Sequence, residues 1–99
     1  MAFDVIELFK DEVEMAEEDL LAMEFALEGY YEERIAENIL YFNQTREKLI
    51  TANGYIIQEL NDLNEGFIAK DEFEKCSVVK KVLEVIQSKI NEVNISSEI

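Results

Sequence analysis

The sequence predicts an all-α fold, most simply a three-helix bundle or an extended helical hairpin with one long central helix. Three observations lead there. Apolar residues recur at alternating intervals of three and four over most of the chain, no segment sustains a period of two, and proline is absent throughout. The 99 residues suffice for a single domain, 1–99, and a hydrophobic content of 48% is too high for a disordered chain even at a formal net charge of -14.

The first helix is predicted over about residues 4–28. Ile6, Phe9, Val13, Ala16, Leu20, Met23, Leu27 and Tyr30 form one seam, Asp4 and Glu7 resemble a capping box, and Gly29 is placed to stop the helix. A second seam runs through Ile35, Ile39, Phe42, Arg46, Leu49, Asn53, Ile56, Leu60, Leu63 and Phe67. Asn53-Gly54 favours a turn and costs about 1 kcal/mol or more inside a helix. The seam keeps its phase through that dipeptide, so one helix over about 31–64 is predicted, with two shorter helices as the alternative.

Gly66 then reads as a stop, and Asp71 with Glu74 as a new start. The third helix, about 71–93, carries Val79, Leu83, Ile86, Ile90 and Val93 on one stripe, and 94–99 is left as a tail. Lys75, Lys80 and Lys89 flank this stripe, while Glu12, Glu17, Asp19 and Glu24 flank the stripe of the first helix. The opposed charges predict that these two helices dock against each other.

The chemistry available is narrow. There is no histidine, and Gly29, Gly54 and Gly66 are too scattered for a phosphate-cradling loop. Carboxylate pairs one turn apart, such as Glu14/Glu18 and Glu28/Glu32, lie on a ridge without the pocket that a catalytic acid requires. No catalytic residue, metal ligand or cofactor is predicted, and the single cysteine, Cys76, reads as a small core residue. That lone cysteine, the lack of a long apolar run, and acids at Asp4 and Glu7 where a signal peptide needs bases predict a cytoplasmic protein.

Two local patterns fall between Leu60 and Lys75. Gly66, Ile68 and Glu72 resemble positions six, eight and twelve of an EF-hand loop, which implies calcium ligation, although Asn61 and Leu63 at positions one and three depart from the ligand set. The same stretch, with Leu60, Leu63, Gly66, Ile68, Glu72 and Phe73, also resembles the short C-terminal helical hairpin called SHOCT. That resemblance implies a helix, a glycine stop and a second helix.

Charge is concentrated at one end of the chain. Residues 1–40 hold 13 acids against Lys10 and Arg34, whereas residues 41–99 hold 10 acids against 7 bases. Away from the first seam, Glu14, Glu18, Leu21, Phe25, Glu28 and Glu32 make a ridge that is acidic at both ends and apolar in the middle, with Tyr30 and Tyr31 as its extension. This pattern predicts a docking surface for a basic protein with an apolar pocket. On a helix the acids from Asp4 to Glu37 fall about every 4 Å, close to the roughly 3.4 Å of a single nucleic-acid strand, so a nucleic-acid mimic of the phage-inhibitor type fits. Direct contact with nucleic acid or an anionic membrane is disfavoured, because both require clustered Lys and Arg. The alternative is a homodimeric coiled coil through residues 35–67, with Arg46 and Asn53 fixing its register, as in an assembly factor, chaperone or scaffold subunit.

Overall fold

Met23, Leu27, Tyr31 and Ile35 recur every four residues and form the buried stripe of the first helix, α1 (Glu17–Phe42). The computed structural model describes residues 15–42 and 44–96. Within them α1 is followed by α2 (Arg46–Ala69) and α3 (Phe73–Ser96), three helices packed against one another, with no strand among the described residues. The chain runs up, down and up through short connections, which is a three-helix bundle rather than a hairpin around a long central helix.

The predicted helix boundaries need correction. Residues 4–14 of the first predicted helix lie outside the described residues. Gly29 does not stop α1, and Gly66 does not stop α2. A helical glycine costs about 1 kcal/mol relative to alanine, and burying one large apolar side chain returns about 1.5–3 kcal/mol. Beyond Gly29 lie Tyr31 and Ile35, and beyond Gly66 lies Phe67, all three buried. Asn53-Gly54 likewise stays helical, as predicted, with Ile56 fully buried just after it.

The break falls instead between Phe42 and Arg46, where the Thr45 amide donates to the Phe42 carbonyl at 2.9 Å. The predicted helix over 31–64 is therefore divided between the end of α1 and the start of α2. Arg46 is exposed, and the buried seam resumes at Leu49 and continues through Asn53, Ile56, Leu60, Leu63 and Phe67. A two-stranded dimer on that seam requires the bundle to open, because a single chain already closes over it.

α2 ends in a Schellman motif. The Glu72 amide donates to the Phe67 carbonyl and the Asp71 amide to the Ile68 carbonyl, while Asp71 takes the left-handed conformation at φ 58°. Residues 61–69 are thus helical, and the loop required by the EF-hand resemblance does not form. α3 continues through Ser96, so residues 94–96 are helix and not tail.

Val79, Val82, Ile86 and Ile90 of α3 join Met23, Leu27, Ile56 and Leu60 in one core cluster, and Cys76 is buried with them. Near one end a polar layer crosses the bundle. Asn38 of α1 donates to Asn53 of α2 at 2.9 Å, and Asn53, fully buried, donates to Asn94 of α3 at 3.2 Å. Each helix supplies one amide, so sliding any helix by a turn would break the chain of bonds.

Gly54 and Gly66 are exposed, have no positive φ, and would place an added methyl in open space. Gly54→Ala and Gly66→Ala are each expected to raise the unfolding free energy by about 0.5–1 kcal/mol. Chemical denaturation followed by circular dichroism measures this; a loss of stability in either variant would contradict the helical assignment there.

Candidate docking surface

The buried stripe of α1 fixes what its opposite side presents. Leu21 and Phe25 lie on that outer side, 54% and 63% exposed, although most soluble helices place such residues inward. Glu18 and Glu32 are exposed beside them, and Glu28 is half-buried. The structure thus brings Glu18, Leu21, Phe25, Glu28 and Glu32 onto one ridge; Glu14 lies outside the described residues. Ala22 and Gly29 sit one turn to either side of Phe25 and are exposed too.

The predicted extension of this ridge by Tyr30 and Tyr31 does not hold, least of all for Tyr31. It is fully buried, and its hydroxyl donates to Glu59 Oε1 of α2 at 3.1 Å. The residue numbers explain the error, since one position along a helix turns the side chain by about 100°. The neighbouring Tyr30 is half-buried and meets Tyr31 edge to face, with centroids 4.8 Å apart. The Arg34 guanidinium lies 5.6 Å from both ring centroids and forms an ion pair with Glu59. These four groups clamp α1 to α2 on the side away from the ridge.

Burial first, and then the Glu59 carboxylate, push the Tyr31 phenol well above its ordinary value of 10.0. For Arg34 burial acts against the charge, but the hydrogen bond and the charge of Glu59 outweigh it and raise the guanidinium further. A phenol whose folded value is raised adds stability that is complete below the unfolded value and is lost as pH climbs toward the folded one. Stability is therefore expected to decline above pH 10, less steeply in Tyr31→Phe, which itself costs about 1 kcal/mol at neutral pH. Denaturation at pH 7, 9 and 11 reads both effects. Identical slopes for the two proteins would contradict the clamp.

A groove beside the ridge completes the surface. Glu17, Glu18, Leu21 and Glu24 of α1 face Glu74, Val78 and Lys81 of α3 across it. Glu74 and Val78 were not legible as site residues, because only the packing of α3 against α1 places them there. The predicted pairing of charges between these helices is only partly realised. Among the described residues Lys89 meets Glu32, in place of Glu17, Asp19 or Glu24, and Lys75 meets Glu72 beside the Phe67 ring, while Glu12 lies outside the described residues. Glu32 and Lys89 are each 43% exposed, so separating them costs at most about 1 kcal/mol.

Among the described residues no group of three or more acids and cysteines is arranged to hold a metal ion. No described helix is long and apolar enough to cross a membrane. No known family model matches the chain, and neither the curated proteins nor the solved structures contain a match to it.

Proposed function

We propose that this protein is a non-catalytic binding protein that docks a basic partner protein on the outer face of α1 and so modulates or inhibits it. The observation that carries the reading is the pair Leu21 and Phe25, left in solvent amid carboxylates while Met23 and Leu27 of the same helix are almost fully buried. Leu21 and Phe25 act as apolar anchors, and the surrounding acids draw in and orient a cationic surface. Eight acids and one base on α1 resemble the charge of a nucleic-acid strand, which favours a nucleic-acid-binding protein as the partner. The working compartment under this reading is the cytoplasm.

Capture from a cell extract at low and high salt tests the proposal, with Glu14→Gln/Glu18→Gln/Glu28→Gln/Glu32→Gln beside the parent chain. A basic protein held at low salt and released by either salt or the charge-neutral variant is the expected result. Capture of the same protein by both chains at high salt, or no capture, contradicts the reading.

A further inference from the structure

Of the seven asparagines, only Asn53 is followed by glycine. In an open chain that pairing is self-reactive, because glycine leaves its own backbone nitrogen unhindered and lets the backbone bring it onto the preceding side chain. In the folded protein the two groups are held apart. The Gly54 nitrogen belongs to the hydrogen-bonded ladder of α2, the Asn53 side chain is fully buried, and both ends of its amide are engaged, Oδ1 by Asn38 and Nδ2 by Asn94. The same dipeptide weakens the helix that protects it, since both residues disfavour a helix interior.

We propose that Asn53-Gly54 is a deamidation site that is closed in the bundle and reacts when α2 opens, so that opening at the amide layer becomes irreversible. Once the helix opens, the Gly54 nitrogen attacks Cγ of Asn53. A new C–N bond closes a succinimide ring, the Cγ–Nδ2 bond breaks, and ammonia leaves with the proton lost from the Gly54 nitrogen. Water then opens the ring at either carbonyl and yields aspartate or isoaspartate, with no oxidant or reductant involved. Neither product fits the polar layer. A carboxylate has no proton to donate to Asn94, and the two groups bonded to Asn53 there are neutral amides, which leave a buried charge without a counter-charge between them. Isoaspartate also adds one carbon to the backbone and so shifts Ile56, fully buried just beyond, out of register. A chain that has opened and reacted therefore closes on a weakened bundle.

Peptide mapping by mass spectrometry of the full chain, incubated in mildly alkaline buffer with and without urea, tests the proposal. Ammonia loss at Asn53 should be about 100-fold or more slower in the folded chain, because the reaction waits on opening. In urea just below the unfolding transition, Asn38→Ala, which loosens the layer and keeps the reacting pair, should speed the loss about fivefold. Gly54→Ala should slow the reaction of the unfolded chain several-fold, because its methyl group crowds the attacking nitrogen. Asn53→Asp, which carries the charge of one product, should have a lower urea midpoint than the parent chain. Equal rates in buffer and in urea overturn the proposal. So does a rate that either Asn38→Ala or Gly54→Ala leaves unchanged, or an unchanged midpoint for Asn53→Asp.

Discussion

Asn53→Ala is expected to lower the unfolding free energy by about 2–3 kcal/mol, a large share of the roughly 5–15 kcal/mol typical of a small domain. Two terms contribute. The substitution removes both hydrogen bonds of a fully buried amide, and it opens a void at the meeting point of three helices. Asn38 and Asn94 are half-buried and turn toward water once released, which keeps the loss below that of an orphaned core group. Because the three amides form one chain, Asn53→Ala and Asn38→Ala should be non-additive, with a coupling of about 0.5 kcal/mol or more. Urea denaturation of the single and double variants measures both quantities. A cost under about 1 kcal/mol with additive singles would show that the layer does not hold the register.

Leu27→Ala and Phe25→Ala are expected to differ sharply although the two residues are nearly adjacent. Leu27 is 1% exposed in the core cluster, and its truncation should cost about 3–4 kcal/mol through lost burial and a residual cavity. Phe25 is 63% exposed, and its truncation should cost less than about 0.5 kcal/mol, the ordinary range for a surface substitution. The ratio locates the inner and outer faces of α1 independently of any partner. Comparable losses at both positions would place Phe25 in the core and remove the ridge.

Much of this architecture is legible in the sequence because a helix exposes its inner face as a period. Leu49 to Phe67 and Val79 to Ile90 were read from spacing alone and are buried as expected, apart from the half-buried Leu83. Local signals failed where tertiary burial opposed them. Gly29 and Gly66 have the form of helix stops, but buried side chains just beyond each repay the backbone cost. The end of one helix at Phe42 and the start of the next at Arg46 were hidden because Ile39, Phe42 and Arg46 keep the seam spacing across them. Asn53 was assigned to a dimer seam or a turn, since only the packed bundle brings Asn38 and Asn94 to it.

The candidate surface divides in the same way. Leu21 and Phe25 were legible because they stand off the first seam and alternate with acids. Tyr31 was misplaced because two consecutive tyrosines offer the seam equally good continuations, and the buried one is settled by Glu59 and Arg34 of the clamp. The α3 wall of the groove, Glu74 and Val78, depends wholly on tertiary placement.

The measurement that bears most directly on the central claim is the affinity of Leu21→Ala/Phe25→Ala for the basic partner captured by the parent chain, taken by calorimetry at fixed salt. With helicity and stability unchanged, the account predicts a weakening of about 30-fold or more, equivalent to about 2 kcal/mol. An affinity equal to that of the parent chain would contradict it and move the contact off the outer face of α1.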